Sequence, residues 1–414
     1  MSQDLRQLTL LILSDIHFGP DSCSKDFSNE DNPPKHLVIP STSMKDSLIE
    51  IINKQHKQLD GIIVTGDLTS KGKPSELKGC FEKIIEIAKQ VCVDNDNIFF
   101  TFGNHDIDWE ISKLAELEKP VCDALYLEVA ASFCQIYVSN RNCSSPGPVP
   151  GSGLFKRDKF EIYIVNSGYF STHNQSYSHG KLGEKQFQWL SSVMAPMIDS
   201  GKWKIFILHH HPFKYSYPSV VEDISCLEEG SDLCDLLGKN NIDIVCHGHR
   251  HHPQMYTKMR SGWVSPITFF CAGSLSVNET ERRLGEIHNV FHVLSLETRD
   301  SNHAAIGTIT TYRYSTANGW IQSEASDMIP LDPVQKFGAI ETLIEKESEI
   351  TNIIKSLLNS RSDIHIDMPQ YNSLPLCLLC TPIKELNALF KKGAIKHNTK
   401  IVGEYPNVVL LKRL

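Results

Sequence analysis

The first 300 or so residues alternate short, nearly unbroken apolar runs with stretches of helical periodicity. Residues 8–13, 62–65, 98–102, 162–165, 205–208, 242–245 and 269–272 are candidate strands. Runs this continuous are the mark of strands covered on both faces. Between them, residues 75–91 carry the clearest helical pattern, with Leu77, Phe81, Ile84, Ile85, Ala88 and Val91 on one apolar stripe. Alternating strands and helices predict a layered α/β fold. Residues 290–296 and 306–314 instead alternate with period two, as a solvent-facing hairpin does.

The pattern breaks in three places and changes character once. Residues 19–43 are rich in charge, proline and serine; residues 109–153 pass from a helical pattern into the connector SNRNCSSPGPVPGSG; residues 212–226 are rich in Pro, Tyr and Ser. All three read as insertions near the motifs described below, where loops shape access. Near residue 325 the composition shifts, which divides the chain into a main domain, 1–325, and an accessory module, 326–414. Asp332-Pro333 reads as an N-cap and first-turn pair. From there a helix over 333–358 is expected, its stripe running through Val334, Phe337, Ile340, Ile344, Ile350, Ile354 and Leu357. Thr381-Pro382 and Gly393 bracket a second helix, and residues 408–411 close the chain as a strand-like run.

Composition narrows the function classes only a little. The chain has 414 residues, with 41% hydrophobic and 22% charged positions, ordinary for a soluble globular protein. A net charge of −8 and a pI near 6.1 argue against broad, non-specific DNA binding. No apolar segment approaches the length of a membrane span. The run at 8–13 is short and leads into Asp15, so it reads as a strand and not a signal peptide. Twelve scattered cysteines read as reduced thiols and give a cytoplasmic expectation. Cys377 and Cys380 have the spacing of half a zinc site, but no second pair follows, so buried apolar cysteines are expected there.

Five polar blocks follow directly on predicted strands: Asp15-Ile-His17, Gly66-Asp67, Gly103-Asn104-His105-Asp106, His210-His211-Pro212 and Gly248-His249-Arg250-His251. Sites in open α/β sheets lie outside the carboxyl ends of strands, so five strand ends can feed one crevice. Carboxylate, imidazole and amide oxygen suit divalent manganese, iron, zinc or nickel, and thiolate is missing from the set. Each block has a plainer reading when taken alone. Asp15 and Asp67 are ordinary turn residues, Asn104 is a good helix cap, and the run His209-His210-His211 can be a packed core cluster. All five plain readings would have to hold at once, and at strand ends.

Taken in order, the blocks D-x-H, G-D, G-N-H-D, H-x-P and G-H-x-H resemble the calcineurin-like metallophosphoesterase family over roughly residues 8–315. Residues 180–190, GKLGEKQFQWL, resemble a helix start of its cyclic-nucleotide-phosphodiesterase-like branch, with Trp189 and Leu190 read as core. The resemblance implies an α/β/β/α sandwich and two divalent ions, manganese first among them. It implies Asp15, His17 and His251 on one ion, Asn104, His210 and His249 on the other, and Asp67 bridging. His105 would serve the leaving oxygen, with Asp106 orienting it. Hydroxide held between the ions would attack phosphorus without a covalent enzyme intermediate.

The H-x-P pattern selects His210 and leaves His209 as the tail of its strand. His211 and Arg250 are the expected substrate contacts, with solvated-surface roles as the alternative. The implied function is hydrolysis of a phosphodiester on a small, nucleotide-like substrate. A nuclease acting on single strands is a second reading, disfavoured by the acidic balance and by the absence of interleaved basic and aromatic residues. A third makes the phosphoesterase one output of a regulatory protein, with the 333–358 helix docking on a partner or a second copy.

Overall fold

The computed structural model describes residues 7–38, 42–108, 142–171, 179–194, 201–213, 225–279, 288–299, 304–324, 327, 329–338, 363–366, 390–391, 399–402 and 409–413. Two seven-stranded sheets lie face to face. The first runs β13 (Gly319–Gln322), β12 (Ala305–Ser315), β11 (Val290–Arg299), β1 (Leu8–Leu13), β2 (Gly61–Val64) and β3 (Ile98–Phe100), with β14 (Val334–Phe337) also paired to β12. The second runs β4 (Ser145–Pro146), β5 (Gly153–Lys156), β6 (Phe160–Ile164), β7 (Trp203–Ile207), β8 (Ile244–His247), β10 (Ile267–Cys271) and β9 (Gln254–Lys258). A separate three-stranded sheet joins β15 (Asp363–Ile366), β17 (Val409–Arg413) and β16 (Thr399–Val402).

Strand alternation explains the layering. In β1, Leu8, Leu10 and Ile12 face the second sheet, where they meet Ile205, Ile207, Ile244 and Phe270. Leu11 and Leu13 face the other way, against Met44, Leu48 and Ile52 of α1 (Met44–Gln55) and Leu77, Phe81 and Ile84 of α2 (Pro74–Gln90). On the far side, Phe206, Leu208 and Val245 pack on Leu190 and Met194 of α3 (Gly183–Met194) and on Leu233 and Leu237 of α4 (Gly230–Lys239). The order is therefore helix, sheet, sheet, helix, as expected. Both faces of β1, β2, β7 and β8 are covered, which is why their sequences are continuously apolar.

β1, β2 and β3 are mutually parallel, and so are β6, β7, β8 and β10. Parallel pairing collects the carboxyl ends of each set at one pole. At the opposite pole Arg299 of β11 reaches across to Asp243, which precedes β8. Its Nε and Nη2 donate to Oδ1 and Oδ2 at 2.8 and 2.7 Å, and Nη2 also donates to the Lys202 carbonyl at 2.8 Å. Both side chains are almost wholly buried, so the bidentate pair fixes one sheet over the other.

Two expectations change. The hairpin of β11 and β12 is not solvent-facing. One side of it packs between the sheets through Val290, Leu294 and Ile309, and the other carries Phe291 and Tyr312 into the helix-side core, where they join Trp320 of β13. The helix expected from residue 333 begins instead as β14, with Val334 opposite Thr310 and Phe337 opposite Gly307. The pair Val334 and Phe337 fits a helical spacing, but β12 offers a free edge and the Phe337 ring is 1% exposed between the sheets. The first sheet thus extends past the boundary drawn at 325. Residues 339–362, the 109–135 helical pattern, Cys377 and Cys380 lie outside the described residues, as does most of the second tail helix. The closing run, by contrast, is strand β17. Among the described residues no helix is long and apolar enough to cross a membrane.

Candidate metal centre

Every block of the sequence ends at the pole where the parallel strands finish. Asp15 and His17 follow β1, Asp67 follows β2, Asn104 and His105 form a short 3-10 turn after β3, His209 follows β7, and His249 and His251 follow β8. Five of these residues adopt left-handed backbone: Asp15 (φ 48°), His17 (49°), Asp67 (50°), His249 (75°) and His251 (53°). Only three other non-glycine residues among those described do so: Cys92, Asn142 and Asn241. Such conformations cost about 1–3 kcal/mol each and persist where the surroundings impose them, typically at functional sites.

Two of the three donor groups among the described residues share Asp67. Ligand atoms of Asp15, His17, Asp67 and His251 lie within 4.8 Å of one another, and so do those of Asp67, His209 and His249. Asp67 Oδ2 is 3.6 Å from His17 Nε2 and 3.2 Å from His209 Nε2. Its Oδ1 accepts the His105 backbone N–H at 2.8 Å. Asp15 Oδ1 lies 3.2 Å from His251 Nε2 and accepts the His249 N–H at 3.2 Å, while Ser14 Oγ donates to its Oδ2. Asn104 Oδ1 is 2.9 Å from His249 Nδ1 and 3.2 Å from His209 Nε2.

Most of the ionisation states suit cations, with His209 the exception. Burial opposes charge on Asp67, but His209 and His105 beside it outweigh that and hold its carboxyl well below the usual range. Burial pushes His17, His210 and His249 well below the ordinary imidazole value, so they are neutral, the form that ligates metal. His209 moves the other way, to about 9: burial opposes its charge, and the Asp67 carboxylate overrides burial. Both ring nitrogens of His17 and the Nε2 of His249 are buried without a hydrogen-bond partner. Orphaned buried acceptors are costly, and lone pairs converging on shared carboxylates are what a pair of divalent ions would satisfy.

His209, not His210, occupies the place beside Asp67 and Asn104. Strand alternation accounts for it. Ile205 and Ile207 point between the sheets and His209 continues that face, whereas Phe206 and Leu208 point toward the helices and His210 follows them. A Cβ on Gly180 would fall 2.5 Å from the His210 ring. The His210 Nδ1 meets Ser167 Oγ at 3.0 Å, and its ring sits 4.5 Å from that of His249. The His209 Nδ1–H donates to the Thr65 carbonyl at 2.8 Å, which turns Nε2 inward. The period-two alternation through 205–209 accounts for this placement, whereas the H-x-P spacing selects His210.

The remaining expected site residues are placed as follows. The His105 ring lies 4.6 Å from that of His17, and its Nδ1–H donates to the Ser70 carbonyl at 3.1 Å. Asp106 does not present its carboxylate to that ring nitrogen. Its Oδ1 accepts from Thr69 N and Oγ1 at 2.8 and 3.0 Å, and its Oδ2 accepts from Gly103 N at 2.8 Å. It ties the loop after β2 to the loop after β3, and burial pushes it up to about 7. His211 and Arg250, expected to face substrate, turn inward at 0% and 8% exposure. His211 stacks 6.1 Å from the His249 ring. Sequence reasoning also passed over Asp21, whose carboxylate groups with His17 and His105, and Ser167, whose Oγ accepts the backbone N–H of both His209 and His210.

The chain is 24% identical over 207 residues to the cAMP/cGMP dual specificity phosphodiesterase MT0825 of Mycobacterium tuberculosis (strain CDC 1551 / Oshkosh), a match covering 50% of this chain and 52% of that protein. It is 25% identical over 222 residues to a probable cyclic nucleotide phosphodiesterase of Rhodococcus erythropolis (strain PR4 / NBRC 100887), covering 52% and 58% respectively. The chain thus spans about half the length of the curated relatives it matches. Among solved structures it is similar to purple acid phosphatase PPD1 from yellow lupin (Lupinus luteus) seeds, with a TM-score of 0.47 and 14% identity over 77% of this chain and 53% of that one. The calcineurin-like phosphoesterase model matches residues 8–253, more than half the chain and a span that contains all five blocks. On that match, the chain belongs to the calcineurin-like phosphoesterase family.

Proposed function

We propose that the protein is a two-metal phosphoesterase that cleaves a phosphodiester on a small, nucleotide-like molecule. The observation that carries this reading is the position of Asp67 between two donor groups, one with Asp15, His17 and His251 and the other with His209 and His249. Asn104, through its amide oxygen, joins the second group. When bound, two divalent cations lower the pKa of water to about 7 and neutralise charge developing on a phosphoryl group. The residues of the chain hold and orient. The backbone N–H of His105 fixes the Asp67 carboxylate, and Thr65 fixes the ring of His209. His105, with its Nδ1–H given to Ser70, keeps Nε2 for a proton delivered to the leaving oxygen. Asp106 is a positioning residue that clamps the loops carrying Asp67 and His105. The names of the two curated relatives, a cAMP/cGMP dual specificity phosphodiesterase and a probable cyclic nucleotide phosphodiesterase, support the substrate class.

The test pairs metal counting with a substrate screen. Manganese-loaded protein should hydrolyse bis-(p-nitrophenyl) phosphate and one or more cyclic nucleotides, and leave single-stranded DNA intact. Elemental analysis should give two ions per chain, with Asp67→Ala losing both and His209→Ala losing one. His210→Ala should retain both. Two ions in Asp67→Ala would remove the bridging role, and loss of an ion from His210→Ala alone would return the second position to His210.

A further inference from the structure

Phe170 is 46% exposed, and among the described residues it is the one exposed phenylalanine. It occupies the corner of a turn that runs from Gly168 to Ser171, closed by the Ser171 N–H donating to the Gly168 carbonyl at 3.0 Å. Turn corners normally carry Gly, Asn, Asp or Ser. Here they carry Tyr169 and Phe170, with their rings edge-to-face at 4.9 Å. The turn also sits against the metal centre. Ser167 Oγ contacts His210 Nδ1 and receives the backbone of His209 and His210. Gly168 lies so close to Gly103 that a Cβ on it would come within 2.7 Å of the Gly103 carbonyl. From Ser167 to Phe170 the chain reaches at most about 10 Å, the span of one nucleoside.

The ring is held from beneath. Gly183 opens α3 with φ 70°, and a Cβ there would fall 2.7 Å from the Phe170 ring. The Lys181 N–H donates to the Ser167 carbonyl at 2.9 Å and ties the start of α3 to the same turn. An aromatic face is thus left in solvent, backed by a second ring, three residues along the chain from Ser167, which touches His210. Exposing that face costs stability and does nothing for the core.

We propose that Phe170, backed by Tyr169, is a stacking platform for the heteroaromatic base of a nucleotide whose phosphate lies at the metal centre. This rests on the phosphoesterase reading above. Stacking on an aromatic side chain tolerates any base, so the platform selects nucleotides as a class and not one base among them.

Calorimetric titration of the metal-loaded full chain with adenosine 5′-monophosphate and with ribose 5-phosphate tests it. The two probes carry the same phosphate and sugar and differ in the base. The wild type should bind the nucleotide about tenfold more tightly or better. Phe170→Ala and Phe170→Leu should abolish that preference, and Phe170→Trp should keep or enlarge it. Equal affinity for the two probes in the wild type overturns the platform, as does no binding of either. A preference that survives in folded Phe170→Ala overturns it too. Turnover of bis-(p-nitrophenyl) phosphate, measured separately, shows whether the hydrolytic reading stands or falls independently.

Discussion

Replacing Gly103 by alanine adds one methyl group at the centre of the site, and its effect follows from contacts already in place. The backbone there, φ −106° and ψ −170°, is ordinary extended chain, so alanine brings no conformational strain of its own. The added Cβ would lie 2.1 Å from Asp67 Oδ1 and 2.7 Å from both Asp67 N and His209 Nε2. Relief requires the carboxylate to retreat by about 1 Å, since carbon contacts normally begin near 3.5 Å. Ligand distances to a bound metal tolerate only about ±0.2 Å. A misplacement of about 1 Å costs on the order of a hundredfold, so metal affinity should fall about 100-fold, or about 2.7 kcal/mol. The readout is thermal unfolding with and without saturating manganese. In the wild type the ions raise Tm; in Gly103→Ala that increment should shrink by about 3–5 °C, with turnover down about a hundredfold. If the apoprotein loses stability while the metal-induced increment is unchanged, the methyl acts through packing, and the reasoning about ligand geometry is refuted.

Three further outcomes are expected. His105→Ala should keep both ions and lose about 10²–10⁴-fold in turnover, most for esters with poor leaving groups; loss of metal in that variant would make His105 a ligand. His292, buried beside Phe270 with its Nδ1 3.0 Å from Thr311 Oγ1, is pushed down to about 3 by burial. The native state therefore binds fewer protons than the unfolded chain. The associated stability is complete above about pH 6.5 and is lost at about 1.4 kcal/mol per unit as pH falls toward 3. By pH 4.5 the wild type should have lost about 2–3 kcal/mol more than His292→Asn in urea melts, and parallel pH profiles would contradict this. Finally, a chain ending at residue 325 lacks β14 and should be less stable than one ending at 338, by about 3–5 kcal/mol for the Phe337 side chain alone. Equal urea midpoints would show that β14 does not hold the first sheet.

What the sequence displayed and what it hid divide along physical lines. Burial on both faces leaves a local record, so β1, β2, β7, β8 and β10 were visible as apolar runs and α2 as a stripe. Polar residues at the ends of those runs marked the crevice for the same reason. β14 was hidden because Val334 and Phe337, three residues apart, fit a helical stripe; on the strand they fall on opposite faces, Val334 exposed and Phe337 buried, and the choice was made by the free edge of β12. The placement of His209 beside Asp67, where the H-x-P spacing selects His210, follows from the alternation already evident at Ile205 and Ile207. The left-handed turns at Asp15, His17, Asp67, His249 and His251 leave no sequence signature, because aspartate and histidine tolerate that region without requiring it. The inward turn of His211 and Arg250 depends on packing that no local pattern encodes.

The proposed ligands come from both sheets: Asp15, His17, Asp67 and Asn104 from the first, His209, His249 and His251 from the second. At the opposite pole the Arg299–Asp243 pair sets the spacing of the same two layers. On the proposed two-metal reading, cation occupancy and the fit of one sheet on the other are therefore a single thermodynamic variable read at two places. A loosened contact between the layers, as in Ile205→Ala or Arg299→Ala, should weaken cation affinity without touching a ligand, and cations should stiffen the interface by the same coupling free energy. Catalytic competence in such an architecture is a gauge of how well the whole sandwich closes, so variation far from the crevice can tune the enzyme as effectively as variation inside it.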